Sequence, residues 1–395
     1  MNVPTLRFPE FGGEWKKCKL GDVATGFDYG MNAAAKPFDG NNKYIRITDI
    51  NESSSEYSYN DVVSPDAILQ DFYLVKDNDI LLARTGASTG KSYLYKSKDG
   101  CLYFAGFLIR INIPNDNPYF IFSQLHTTNY RKWITIMSAR SGQPGINSQE
   151  YSSYPLYLTN KEEQSKISTL LSKFDERIAT QNKIIDRLES LIKGLCLNLQ
   201  LIGLKDNTWQ KVYLTEVLTE RKEKNKDNYE VHSVSVSHGI VNQIGYLGRS
   251  FAAEDTSNYH VVKNGDIVYT KSPTGEFPYG IVKQSMIIEN VAVSPLYGVY
   301  MPENKYIGTI LHYYFMNCNN TNNYLHPLIQ KGAKNTINIT NQHFLDNTVI
   351  LPNNTEEIKN VASLLSSIQY KIATNNKLLN NYKKQKQYLL QHMFI

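Results

Sequence analysis

Apolar residues recur along two stretches of the chain at alternating intervals of four and three. The first runs Ile167, Leu171, Phe174, Ile178, Gln181, Ile185, Leu188, Ile192, Leu195 and Leu199. The second runs Val361, Leu365, Ile368, Ile372, Asn375, Leu379, Tyr382, Lys386, Leu389 and Met393. A mean spacing of 3.5 residues is the seam of a coiled coil, narrower than the stripe of a helix lying on a globular core. Each stretch carries one amide at its fifth seam position, Gln181 and Asn375, where a buried polar group would fix register. The pattern predicts two long helices paired with each other. The first gives way to only a short connector, 200–208, before Trp209, so a returning second helix would run antiparallel. The 33 residues from Ile167 to Leu199 rise about 50 Å at 1.5 Å each, which predicts a stiff strut holding two heads apart.

Self-comparison organises the remainder. Trp15, Leu20 and Val23 return as Trp209, Leu214 and Val217, 194 residues on. Val75-Lys76-Asp77-Asn78-Asp79-Ile80 is echoed by Val262-Lys263-Asn264-Gly265-Asp266-Ile267 at an offset of 187, and Arg177-Ile178-Ala179-Thr180-Gln181-Asn182 by Lys371-Ile372-Ala373-Thr374-Asn375-Asn376 at 194 again. One module is written twice, with loops of different length on a common framework. Residues 43–47, 79–84 and 103–113 have strand-like β-branched and aromatic content, as do 229–236, 266–271 and 291–300 in the second copy. The aromatic-rich stretches 117–137 and 304–331 predict helices. The expected fold is α+β: two β-rich heads with helices, at 1–160 and 201–354, separated by a long antiparallel two-helix coiled coil formed by 161–200 and 355–395.

Composition narrows the class without deciding it. The 395 residues carry 42 Lys+Arg against 37 Asp+Glu, a formal charge of +5, and 41% hydrophobic residues, enough for two cores and too many for a disordered chain. No apolar run approaches the ~20 residues of a membrane span. The first residues, with Arg7, Glu10 and Glu14, lack the apolar core of a signal peptide. Cys18, Cys101, Cys196 and Cys318 stand far apart with no Cys-x-x-Cys, which argues for a reducing cytoplasm and against a zinc ribbon or disulfide framework. The mild basicity permits a nucleic-acid partner without demanding one.

Most candidate chemistry fails on counting. Thr85-Gly86-Ala87-Ser88-Thr89-Gly90-Lys91-Ser92 looks like a nucleotide-binding loop, but three residues rather than four separate its glycines, and a strand-like segment comes next where a helix should face the phosphates. A Gly-rich hairpin is the better reading, with a nucleotide-binding protein kept as an alternative. Asn117-Pro118-Tyr119-Phe120 is similar to the Asn-Pro-Pro-Tyr loop of adenine methyltransferases but lacks its second proline; a helix start explains it. The eight histidines show no metal-ligand spacing. What remains is a set of loops bearing cations, amides and hydroxyls, the groups that bind bases and phosphates. Arg84-Thr85 and Lys271-Ser272 close equivalent strands, 138–147 is answered by 330–338, and Arg221 to Lys226 forms a further basic loop. Candidate DNA contacts are Arg84, Ser88, Lys91, Arg140 and Gln143 in the first head, and Lys271, Thr274, Lys331, Lys334 and Asn335 in the second. A structural scaffold with protein-binding heads is the other alternative.

Taken in order, these features resemble the DNA-specificity (S) subunits of type I restriction–modification systems. The resemblance spans the chain. It rests on Val3-Pro4-Thr5-Leu6-Arg7-Phe8-Pro9-Glu10-Phe11 leading to Trp15, on Asp79-Ile80-Leu81-Leu82-Ala83-Arg84-Thr85-Gly86, and on a Gly-x-x-Gly-Ile-Asn loop ending at Asn147. Leu156-Tyr157-Leu158 and Glu163-Gln164 come next, before the first long helix. In the second copy Ile350-Leu351-Pro352 and Glu356-Glu357 fit, with Ile358 where glutamine is expected. The resemblance implies a non-catalytic subunit whose two target-recognition domains each read one half of an asymmetric bipartite duplex DNA site. It implies spacer helices that set the gap between half-sites, and no cofactor in this chain. Two methyltransferase subunits would carry S-adenosylmethionine and the adenine chemistry, and restriction subunits would bring ATP and Mg.

Overall fold

The computed structural model describes residues 2–52, 54–139, 144–248, 252–331 and 337–395. The chain divides into two units, 1–182 with 378–395, and 183–377.

The principal strands of the first unit are β1 (Lys16–Lys19), β2 (Thr25–Tyr29), β3 (Lys43–Ile45), β4 (Asp79–Ala83), β5 (Ser92–Leu94), β6 (Leu102–Phe104), β7 (Leu108–Asn112) and β8 (Pro155–Leu158). Four of them form an antiparallel sheet in the order β2-β7-β4-β5. β4 is the reason the unit has a core on each side of this sheet. Its alternate residues Ile80 and Leu82 pack with Trp15, Leu20, Ile109 and Ile111, while Leu81 and Ala83 pack with Ile45, Tyr93, Phe104 and Leu108. An uninterrupted apolar run at period 2 is what a strand buried on both faces requires. β1 pairs with β8, Lys16 opposite Leu158, tying the start of the module to the residues before its long helix. Helix α1 (Pro118–Gln124) begins where Asn117 accepts the Phe120 N–H at 3.1 Å and Pro118 occupies the first turn, so the Asn-Pro-Tyr-Phe sequence is a capped helix start. Helix α2 (Thr128–Ser138) comes after it.

Helix α3 (Lys161–Lys205) is 45 residues long and passes from the first unit's part of the chain into the second's. The expected connector at 200–208 shrinks accordingly to 206–208. Leu201, Ile202, Leu204 and Lys205 keep the helix going, and Gly203 is a contact point rather than a breaker: a Cβ there would lie 1.9 Å from Cδ1 of Trp209. The helix stops at Asn207, whose φ of 56° leaves the helical region, with the Thr208 N–H returning to the Gly203 carbonyl at 2.9 Å.

The second unit repeats the plan with β9 (Trp209–Tyr213), β10 (Leu218–Glu220), β11 (His232–Ser235), β12 (Gly239–Asn242), β13 (Ile267–Thr270), β14 (Ile281–Gln284), β15 (Gly298–Pro302) and β16 (Thr348–Pro352). Its four-stranded sheet has the order β10-β15-β13-β14, the same topology as the first, and β9 pairs with β16 as β1 does with β8. Asn304 caps helix α4 (Lys305–Met316) by accepting the Tyr306 and Ile307 N–H groups; α5 (Cys318–Leu325) and the 38-residue α6 (Thr355–His392) complete it.

The long helices are paired within each unit. In the first, Phe174 meets Tyr382 edge to face at 6.5 Å, and Asp175 pairs with Lys386. In the second, Ile192 and Ile372 line one cavity, and Cys196 and Leu199 share another with Val361 and Leu365. Positions fall along α6 as they rise along α3, so the helices run antiparallel in both units. Every residue expected on either seam is buried or half-buried. Of the seam amides, Gln181 is buried, and Asn375 donates its amide to the Lys371 carbonyl one turn back at 2.6 Å.

Candidate nucleic-acid interface

In the first unit, β4 ends at Ala83 and the chain turns through a short 3-10 segment, Gly86–Ser88, before returning as β5. This is a glycine-bearing hairpin. A strand begins just after Lys91, so the turn has no helix N-terminus to aim at a phosphate. The hairpin base is stitched to a second loop: Ile146 N–H donates to the Arg84 carbonyl, Gly86 N–H donates to Pro144, both at 2.9 Å, and Thr85 bridges Gly145. From below, the buried Tyr151 hydroxyl donates to the Ala83 carbonyl at 2.6 Å. Asn147 then caps the next short helix by accepting the Glu150 N–H at 2.9 Å. Residues 144–147 are thereby fixed beside Arg84. Arg140 and Gln143, earlier in the same loop, lie outside the described residues.

The Arg84 guanidinium sits 4.7 Å from the centroid of the Tyr29 ring, and its Nε is buried with no hydrogen-bond partner among the described residues. The Tyr29 hydroxyl donates to Ser148 Oγ and accepts the Ser148 N–H, each at 3.2 Å. That Ser148 contact, reinforced by the nearby Arg84 cation, lowers the Tyr29 pKa from its ordinary value. Tyr29 and Phe107 are 41% and 59% exposed. A half-buried arginine stacked on an exposed tyrosine suits base or phosphate contact. Tyr29 and Phe107 escape a reading by charge alone. The sequence signal for them is the pair Tyr29-Gly30 and Gly106-Phe107, because Gly30 has no room for a side chain: a Cβ would lie 2.2 Å from the Ala105 carbonyl oxygen. That close approach sets both aromatics at one end of the sheet.

The other two first-unit candidates stand differently. Lys91, half-buried, leaves the hairpin toward the exposed Glu52, 3.7 Å away, a contact worth little by itself. Ser88 lies in the 3-10 turn, its carbonyl accepting the Lys91 N–H.

The second unit offers a different end of the same sheet. Lys271 comes directly after β13 as Arg84 does after β4, but it is half-buried: burial lowers its pKa and the Glu220 carboxylate opposes that fall. Glu220 itself accepts the Asn341 amide at 2.8 Å. Thr274 is exposed in a tight turn closed by paired backbone hydrogen bonds with Phe277, of 3.1 and 2.9 Å. Lys331 ends a two-residue strand, Gln330–Lys331, paired with Ile337–Asn338. Its side chain, with Lys334 and Asn335, lies outside the described residues. Among the described residues no group of three or more His, Cys, Asp or Glu side chains could hold a metal ion, and no helix is long and apolar enough to cross a membrane.

Comparison with known proteins places this arrangement. The type I restriction modification DNA specificity domain matches residues 12–190. The type I restriction enzyme MjaVIII specificity subunit of Methanocaldococcus jannaschii is 26% identical over 314 residues, covering 70% of this chain and 68% of that protein. The HindI specificity subunit of Haemophilus influenzae is 28% identical over 190 residues, 46% of this chain and 40% of its own length. In fold, the chain is similar over 100% of its length to 99% of the crystal structure of a type I restriction–modification S subunit from M. genitalium, with a TM-score of 0.64 at 13% identity. The first copy is thus similar in sequence to the type I restriction modification DNA specificity domain, most of the chain is similar to a type I specificity subunit, and its fold is that of a solved S subunit.

Proposed function

We propose that the chain is the non-catalytic subunit that selects the DNA sequence for a type I restriction–modification complex. The two heads act as target-recognition domains, each reading one half of a bipartite duplex site. The observation that carries this reading is the duplicated sheet, β2-β7-β4-β5 and β10-β15-β13-β14, which ends at one position in Arg84 stacked on Tyr29 and at the equivalent position in Lys271 beside Glu220. One framework presenting two different chemical surfaces recognises two different half-sequences, so the target is asymmetric. Arg84, Ser88, Lys91, Arg140 and Gln143 are the proposed contacts for one half-site, with Tyr29 and Phe107 added. Lys271, Thr274, Lys331, Lys334 and Asn335 are those for the other. The long helices act as spacers. Two methyltransferase subunits would dock on them and carry S-adenosylmethionine and the adenine chemistry. Restriction subunits would bring ATP and Mg, and the complex would work in the cytoplasm on chromosomal and incoming DNA.

The test is the methylome of a host expressing this chain with its methyltransferase partner. Methylated adenines should fall in a single asymmetric bipartite motif. Arg84→Ala should relax the letters of one half-site, at about 1–3 kcal/mol per lost base contact, and leave the other half-site unchanged. Four residues inserted into α3 near Leu199 add about 6 Å of helix and should lengthen the unspecified gap without altering either half. Methylation that ignores sequence, or an Arg84→Ala change in both half-sites, would refute the modular reading.

A further inference from the structure

The second unit contains a cavity of about 650 Å³ lined by none of the proposed DNA contacts. Its walls come from the β11–β12 turn, from β14, from α4 and from the long helices, with Ile240, Phe277, Met286, Met316 and Ile372 among the apolar lining. Lys283 on β14 faces the cavity. Its stem lies opposite Val268 of β13 in the sheet, and the residue is only 5% exposed. A lysine this deep ordinarily has a carboxylate beside it. Here none pairs with it among the described residues, although Glu189 and Glu276 line the cavity further off. Burial accordingly pulls the Lys283 pKa down to about 8.

His312 lines the same cavity from α4. Its Nδ1 accepts the Gln284 N–H at 3.1 Å, and burial first, then the Lys283 charge, lower its pKa to about 3. The ring is therefore neutral, and its hydrogen sits on Nε2. The cavity thus holds an unpaired ammonium and a second N–H donor in a lining that mixes apolar side chains with polar ones such as Glu189, Lys193 and Asn317. A dianionic phosphate would call for more than one cation and a donor nest. Lys193 is a second cation on the wall, but Glu189 and Glu276 offset it and would repel a dianion, so the buried ammonium with one neutral donor suits a single negative charge, and a volume of this size matches a small organic ligand.

We propose that this cavity binds a small monocarboxylate with an apolar body, its carboxylate held by the Lys283 ammonium and the His312 Nε2–H and its body packed against Ile240, Phe277, Met286 and Met316. The occupant would lock the second head against its helices, since both supply walls.

Calorimetric titration of the full chain tests this with octanoate, octyl phosphate and octanol as probes. Octanoate should bind saturably at one site, with octanol at least tenfold weaker and Lys283→Met reducing octanoate affinity at least tenfold. Equal binding of octanol, or an unaffected Lys283→Met variant, would overturn the ion-pair assignment, and octyl phosphate binding alone would overturn the carboxylate. A measurement on the unaltered protein guards against a variant that does not fold. Trace acetylation mapped by peptide mass spectrometry should show Lys283 protected by octanoate while exposed lysines keep their rates. No protection at Lys283 would sink the proposal.

Discussion

The two copies hold the same glutamate at the start of each long helix and give it different work. Glu163 and Glu357 stand 194 residues apart, as do Trp15 and Trp209. In the first unit Glu163 is fully buried and takes both Nε and Nη2 of Arg7 at 2.7 Å, while Trp15 Nε1 has no hydrogen-bond partner among the described residues. In the second, the Trp209 indole donates directly to Glu357 at 2.6 Å. The difference arises from what each module has before its tryptophan. The first has a free segment that brings Arg7, with Leu6 N–H bonded to the His392 carbonyl at 2.8 Å. The second has the end of α3, with Gly203 against the indole. A duplicated framework has kept its acceptor and exchanged the donor.

This contrast predicts the largest asymmetry. Glu163→Gln leaves the Arg7 charge facing an amide in a buried setting and should destabilise the first unit by about 3 kcal/mol. Glu357→Gln keeps an oxygen for the indole N–H and should cost about 1 kcal/mol or less. Thermal unfolding of the two variants, monitored with segment-resolved hydrogen exchange, measures both; equal costs would refute the exchange of roles.

A second contrast lies in the turn before the central strand. Asp79 and Asp266 each accept the N–H of the lysine three residues earlier at 2.8 Å. Asp79 then has the Asn112 amide at 2.7 Å, whereas Asp266 has the Arg221 fork at 2.7 and 3.0 Å. Asp266→Asn leaves a mostly buried guanidinium with only the more exposed Glu223 carboxylate, 3.3 Å away, and should cost about 2 kcal/mol. Asp79→Asn removes a carboxylate without a full counter-charge and should be nearly neutral. Burial, the largest influence on Asp79, raises its pKa, so the native state holds this proton more tightly than the unfolded chain. Stability then falls as pH rises from the unfolded value, about 3.9, through the raised native one. Asp79→Asn should flatten that limb of the first unit's pH–stability curve, and an unchanged limb would assign the slope to another group.

The long helices, the duplication and the central strands are legible in the sequence because each depends on a period: 3.5 for the seams, 194 for the repeat and 2 for strands such as 79–83. Charge and position also find Arg84, since a strand end after an apolar run is marked in the sequence. Tyr29 and Phe107 are not legible from charge. Their place beside Arg84 depends on β2 and β7 pairing across about 80 residues of sequence and on the space missing at Gly30. Lys91, chosen from its type and place in the glycine-bearing loop, lies 3.7 Å from Glu52, a contact no spacing in the sequence announces. The end of α3 escapes the pattern because the seam repeat stops at Leu199 while the helix runs on to Lys205, with Gly203 packed against the Trp209 ring. Gly203→Ala should therefore cost the second unit about 1–3 kcal/mol through overpacking, although alanine is the better helix former. Thermal unfolding checks this: a gain in stability would mean that propensity wins over the indole.

The finest contrast is one backbone angle. Asn78 and Gly265 occupy the same place in the two turns, with φ of 69° and 90°, both in the left-handed region that penalises an ordinary side chain by about 1–2 kcal/mol and asparagine least. No atom lies within 4 Å of a Cβ built on Gly265, so a substitution there meets only the torsional cost. The first copy already shows that asparagine meets it. Gly265→Asn should cost the second unit about 0.5 kcal/mol or less, and Gly265→Val, β-branched and in open space, about 1–2 kcal/mol. Chemical denaturation resolves the difference. If valine proved as harmless as asparagine, the turn would not be holding the left-handed angle, and the equivalence of the two turns would rest on sequence alone.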